Sequence, residues 1–371
     1  MRSVLLCLLL SISLAASCQK YFLFIGTYTG SGSKGIYVYT FDAATGKAQW
    51  VSNTEGIVNP SYLAIAPGGL LLYACTETRT ADEGGISAFR FNRAKGSLTF
   101  INKQSSGGDN PAYVSVHNSG KWVIAANYSG GSLSAFPVNA NGSLQPFSQL
   151  IQHTGTSVNK QRQEKAHVHA TVFSPEGDHL FVPDLGMDKV MIYKFNSSAQ
   201  KPLQSESPAF VNTEPGSGPR HFIFHPNKRW AYLIEEMGGT VVAYNYKKGK
   251  LDVMQQIATH ADTAKGDFGS ADIHISPDGK FLYASNRGNE NNITIFSVNL
   301  VTGKLSLIGY QSTMGIMPRN FTIDPSGKYL LAANQKTGNI VIFKRDVRTG
   351  LLQYTGEQIN IPEPVCLKMI E

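Results

Sequence analysis

The sequence predicts an all-β fold: a seven-bladed β-propeller closed by pairing of the C-terminal strand with the N-terminal blade. Three observations carry that expectation. The composition favours turns and strands over helices, with 36 Gly, 17 Pro, 19 Phe and 16 Tyr in 371 residues, and no apolar i, i+3, i+4, i+7 pattern is sustained. A motif of turn, apolar strand, polar loop and second strand recurs at intervals near fifty residues. Each end of the chain carries part of one further copy.

The recurring turn is marked by Gly69, Gly120, Gly177, Lys228, Gly279 and Gly327, at spacings of 51, 57, 51, 51 and 48 residues. Periods near fifty with about four strands per unit indicate propeller blades. The long interval holds an insertion around Gln152 to Lys165. Six units are explicit. The stretch from Tyr21, "YFLFIGTYTGSGSKGIYVYTFDAATGKAQ", matches the later part of a unit without its first strand. "EPVCLKMI" from Glu363 resembles "NPSYLAIAP" from Asn59 and supplies the missing strand. Residues 19–371 therefore read as a single seven-bladed domain whose sheet edges are short and protected.

Ahead of that domain, residues 1–18 read "MRSVLLCLLLSISLAASC": one Arg, an apolar run from Val4 to Leu14, then small residues. This is a secretory signal, too short to span a membrane. It has the lipoprotein form, with Cys18 as the lipidated residue, although Ala15 stands where the commonest version has Leu. The chain is accordingly expected to be exported, periplasmic or held on a membrane by its lipid alone. Of the remaining cysteines, Cys75 and Cys366 fall on different units and are expected to be buried free thiols.

The net charge is +7, but it is not clustered. The densest basic groups, "KQRQEK" at Lys160 and "YKKGK" at Tyr246, read as solvated turns. No nucleic-acid partner is expected. A basic chain still favours anionic small molecules through a focused local field.

Chemistry is sought where the repeats differ. In a propeller the innermost strand of each blade lines a central channel. The residues entering that strand gather at one mouth with the loop after the second strand. The entering segments include "AHVHA", "GPRHF", "ADIHI" and "MPRNF". They and the adjoining loops bring His167, His169, Arg220, His221, Asp272, His274, Arg319, Glu236 and Arg287 toward one end, where a purely structural repeat needs only small turn residues. Simpler roles stand beside this one. His225 replaces the acid or serine before a turn proline and reads as a turn hydrogen bonder. Arg220 and Arg319 can equally bridge blades through carbonyls, and His221 and His274 can be buried partners of their neighbours.

With the repeats aligned, the sequence resembles the seven-bladed lactonase family, which includes propeller-type 6-phosphogluconolactonases and the fungal carboxy-muconate lactonizing enzyme. The carrying segments are "GPRHFIFHPNKRWAYLIEE", "ADIHISPDGKFLYASNR", "MPRNFTIDPSGKYLLAANQ" and "NYSGGSLSAFPV". The resemblance implies hydrolysis of a sugar lactone in carbohydrate metabolism, with no cofactor. It places the catalytic set on His169, Arg220, Glu236 and Arg287. His167, His221, Asp272, His274 and Arg319 remain as substrate-binding candidates. The substrate is expected to be a small lactone, anionic, phosphorylated or not. The two arginines would hold a carboxylate or phosphate and the oxyanion. Glu236 or His169 would activate water, with the other as acid. No Gly-x-Ser-x-Gly elbow occurs, which disfavours a serine-hydrolase route.

Two other readings stay open. One is a calcium-dependent gluconolactonase-type propeller, with the recurring Asn127, Asn286 and Asn334 as oxygen ligands. The other is a non-enzymatic exported propeller that binds a sugar or a protein.

Overall fold

A computed structural model of the chain describes residues 19–78, 84–264 and 268–371. The expected signal segment, including Cys18, lies outside the described residues. Seven four-stranded antiparallel sheets succeed one another along the chain. Blade 5 shows the pattern: Pro219–Phe224 innermost, then Trp230–Glu235, Thr240–Lys247 and Lys250–Ala258 outermost. Blade 6 begins at Ser270–Ile275 and blade 7 at Pro318–Ile323. Blade 1 takes its innermost strand, Pro364–Ile370, from the other end of the chain. It pairs with Lys20–Thr27 from Phe22↔Ile370 to Thr27↔Pro364, which is the expected ring closure.

Burial explains the texture of the repeat. The second strand of a blade is covered on both faces by its neighbours, so "WAYLIE" at Trp230 and "FLYASN" at Phe281 are buried at every position. These runs therefore read as continuous rather than alternating. Trp230, Tyr232 and Ile234 of blade 5 pack with Leu282, Ala284 and Phe296 of blade 6. Outermost strands face water on one side and alternate, as in Leu203–Asn212. All six aligned turn residues have positive φ, Lys228 included at 61°. Lys228 is thus a blade turn that accepts the left-handed conformation without glycine. His225 bonds as expected: its ring accepts from Asn227 N at 3.1 Å and reaches Gly279 O of the next turn at 2.9 Å. Cys75 and Cys366 are buried free thiols.

One irregularity positions the site. The innermost strands shift register at their first residues, between Pro219 and His221 in blade 5 and between Pro318 and Asn320 in blade 7. A bulge there breaks strict alternation and re-aims a side chain. Arg220 and His221, consecutive in sequence, can then both face the axis.

Candidate active site

Glu236 is the centre of the channel mouth. It follows Trp230–Glu235 directly, and its backbone is held on both sides: its N–H donates to Gly218 O at 2.7 Å, and its carbonyl accepts from Ser270 N at 3.1 Å. Its carboxylate oxygen Oε2 meets Arg220 Nη1 at 3.0 Å and Arg287 Nη2 at 3.1 Å. Each arginine is itself fixed by a backbone carbonyl. Arg220 Nε donates to Ala271 O, and Arg287 Nε to Gly269 O, both at 2.7 Å. Arg220 Nη1 also contacts His169 Nε2, and that nitrogen lies 3.8 Å from Glu236 Oε2. All four expected catalytic residues are therefore in one cluster, all at most 8% exposed.

The cluster walls a cavity of about 340 Å³ that Arg319, Tyr28, Glu77, Tyr128 and Arg162 complete. Arg319 lies over the Tyr28 ring at 5.6 Å, and Tyr28 OH donates to both Glu77 carboxylate oxygens at 3.0 Å. Arg162 Nη2 donates to Glu236 Oε1 at 2.7 Å and lies 3.3 Å from Tyr128 OH. The loop carrying Arg162 returns to the blade at Gly186, where a Cβ would stand 1.8 Å from Lys165 O. Glycine at that position is a requirement of space.

Tyr28, Glu77, Tyr128, Glu236 and Arg287 share one repeat position, the residue after the second strand of a blade. Register alone thus puts Tyr28, Glu77 and Tyr128, in "TYT" from Thr27, "TET" from Thr76 and "NYS" from Asn127, beside the expected Glu236 and Arg287. Arg162 corrects the reading of "KQRQEK" as a solvated turn. Its signal was the insertion itself, which ends just before His167.

The electrostatics follow from burial and neighbours. Burial pushes the Glu236 carboxyl up, but the cations Arg287, Arg220 and Arg162 outweigh it and hold the group well below the usual carboxylate range. Burial and Arg220 hold His169 well below its ordinary value, so it is neutral. Since Arg220 donates to Nε2, the proton of neutral His169 sits on Nδ1. Glu236 is thus ionised at neutral pH, and His169 Nε2 is already occupied as an acceptor.

Of the other candidates Arg319 lines the cavity, and the rest lie elsewhere. His167 stacks on Tyr128 at 4.7 Å and pairs with Glu164 at 3.2 Å, behind the cavity wall. Asp272 takes His221 Nδ1 at 2.7 Å and His274 Nε2 at 3.0 Å, and also accepts from Asn320. This network lies further along the inner strands. It approaches the site through His221, whose ring meets His169 edge to face at 5.4 Å. Together with the stacked Tyr62 and Tyr113 rings, it underlies the cavity rather than lining it. The recurring asparagines are committed to their blades. Asn286 Nδ2 donates to Thr259 O, Asn292 and Thr294, each at 2.9 Å. Asn127 and Asn334 donate to Ser106 O and Thr313 O. Among the described residues no three His, Cys, Asp or Glu side chains gather as a metal site.

Fold and site together define a seven-bladed propeller with four arginines and two glutamates at one channel mouth. The chain belongs to the family described as Lactonase, 7-bladed beta-propeller, whose model matches residues 22–369. It is 42% identical over 349 residues to a 6-phosphogluconolactonase of Formosa agariphila, covering 94% of this chain and 99% of that one. It is 36% identical over 353 residues to a 6-phosphogluconolactonase of Bacillus subtilis, covering 95% and 99%. Among solved structures it resembles the periplasmic gluconolactonase of Pseudomonas aeruginosa with a TM-score of 0.91 at 36% identity, over 95% of this chain and 99% of that one.

A stability prediction follows from the depressed Glu236. A carboxyl whose folded value lies below its unfolded one stabilises the fold above the ordinary carboxylate range, and loses that contribution as pH falls through the folded value. Glu236→Gln mimics the protonated group and leaves two buried arginines without their anion. It is expected to cost about 3 kcal/mol at pH 7. In urea unfolding the gap to the unsubstituted protein should stay full down to about pH 5, begin to narrow near pH 4 and go on narrowing as pH falls toward the depressed folded value. A gap that does not change between pH 7 and pH 3 would contradict the assignment.

Proposed function

We propose that the chain is a lactonase that hydrolyses a sugar lactone bearing an anionic group, with the chemistry at the channel mouth. The observation that carries this reading is the charge of one cavity: four arginines against two glutamates, two of the arginines aimed at a carboxylate that burial alone would neutralise. Such a mouth attracts an anion and stabilises one that develops. The relatives named 6-phosphogluconolactonase and gluconolactonase support a sugar lactone as substrate.

Glu236 accepts a proton from water through its Oε1 oxygen. The water oxygen bonds to the lactone carbonyl carbon, and the carbonyl π electrons move onto oxygen. Arg220 and Arg287 stabilise that oxyanion. Each guanidinium has five N–H donors, of which the backbone and Glu236 take only part. When the tetrahedral centre collapses, the ring C–O bond breaks and its electrons go to the ring oxygen. Glu236 returns its proton there. One water is consumed, and the product is the open hydroxy acid, which then ionises. His169 keeps Arg220 in place through Nε2 and is not the base, because that lone pair is already engaged. Every step uses only the chain's own side chains and water.

We also propose export, with Cys18 as a lipid attachment site. Support comes from the apolar run Val4 to Leu14 followed by "LAASC", and from similarity to a protein named as periplasmic. Expressed in a bacterium with an outer membrane, the full chain should fractionate with membranes and Cys18→Ala should be released to the soluble periplasm. Retention in the cytoplasm, or membrane association that Cys18→Ala leaves unchanged, would refute it.

The catalytic reading is tested by kinetics on 6-phosphogluconolactone and glucono-δ-lactone. Glu236→Gln should lower kcat by about 10²–10⁴. Arg287→Lys keeps the charge but loses the planar fork, and should lower kcat by about 10². Full activity in both variants would move the chemistry out of this cavity and favour a binding role for it.

A further inference from the structure

The arginines around Glu236 are not held alike. Arg220 and Arg287 are buried, are braced on carbonyls of their neighbours, and converge on Oε2. Arg162 comes from the insertion, and its side chain is 45% exposed. It meets the opposite oxygen, Oε1, and among the described residues its is the only hydrogen bond to that atom. The loop beneath it is ordered by its own bonds. Gln161 N and Arg162 N donate to Asn159 Oδ1, and Gln163 Nε2 donates to Leu185 O at 2.9 Å. The Arg162 side chain can therefore turn without the loop moving, a change of rotamer only.

We propose that Arg162 is the specificity-determining residue of this site: it leaves Glu236 Oε1 to grip a substrate phosphate or carboxylate remote from the lactone carbonyl, and so frees Oε1 to take the proton of the attacking water. The proposal rests on the lactonase reading above. A guanidinium fork matches either anion in bidentate fashion. An uncharged lactone offers nothing to draw Arg162 away, so Oε1 stays capped. The two carboxylate oxygens then have separate duties: Oε2 is clamped permanently, and Oε1 is uncovered only when an anionic substrate is present.

The surroundings of Glu236 give this consequences for pH. Arg220, Arg287 and His169 face it from the blades, Arg162 from the insertion, and Tyr128, Arg319 and Glu77 from across the cavity. With every arginine in place the carboxylate is a weak proton acceptor. Moving one cation to the substrate strengthens it as a base while the oxyanion donors stay where they are.

The test compares 6-phosphogluconolactone with glucono-δ-lactone in the unsubstituted protein, Arg162→Gln and Arg162→Lys, from pH 3 to pH 8, with melting temperatures checked. Arg162→Gln should lower kcat/KM on the phosphorylated lactone by about 10- to 100-fold, the weight of a lost charged hydrogen bond. It should raise kcat on the unphosphorylated lactone, because Oε1 is no longer capped. The acid limb of kcat/KM, which reports the free enzyme, should move to higher pH. Arg162→Lys should retain part of the phosphate preference. An equal loss on both lactones with an unmoved acid limb would overturn the proposal and leave the lactonase reading intact. Failure of the unsubstituted protein to hydrolyse either lactone would refute both.

Discussion

Six paired positions between Lys20–Thr27 and Pro364–Ile370 join the ends of the chain, and a central channel exists only because they do. The closing strand is tied to both neighbouring blades as well. Leu367 N donates to Asn320 Oδ1 of blade 7 at 2.7 Å, and Cys366 Sγ accepts from Leu63 N of blade 2 at 3.3 Å. With the ring shut, equivalent positions of successive repeats meet at one axis. Residues about 49 to 51 apart in sequence, such as Tyr28 and Glu77 or Glu236 and Arg287, become neighbours across a cavity smaller than one blade. An open stack of sheets would leave the same side chains on separate edges.

The same closure makes the charges costly. Burying Arg220, Arg287 and Glu236 takes ions out of bulk water, and a buried ion pair seldom repays that cost in stability. On the proposed mechanism the group is ordered instead for what it does to a reacting molecule: donors fixed before substrate arrives need not reorganise during the reaction. In the network beneath it Asp272 accepts from His221, His274 and Asn320, and Asn320 links that network to the closing strand. The mouth therefore stands on a polar floor that is continuous with ring closure.

Most of the fold was legible because each blade repeats the same turn. Even Lys228, which breaks the glycine rule, kept its place in the register and its positive φ. The core of the cluster was legible for the same reason: the register brings Arg220 and Arg319 in at one repeat position and Glu236 and Arg287 at another, all toward one mouth. What escaped was non-periodic. Arg162 sits in an insertion with no counterpart in other blades, so no register could aim it. Asp272 and His274 share a strand with the channel, and position along that strand, rather than residue type, decided that they lie beneath the cavity. The bulge that lets Arg220 and His221 both face the axis left no mark in the apolar pattern.

The most direct measurement is a crystal structure of the protein with 6-phosphogluconate, the ring-opened product. The carboxylate is expected between Arg220 and Arg287 beside Glu236, and the phosphate on Arg162, with the Arg162–Glu236 contact broken. Product bound at the other end of the channel, or at this mouth with its phosphate on Arg220 and Arg287 and Arg162 still on Glu236, would contradict the assignment of roles made from the geometry.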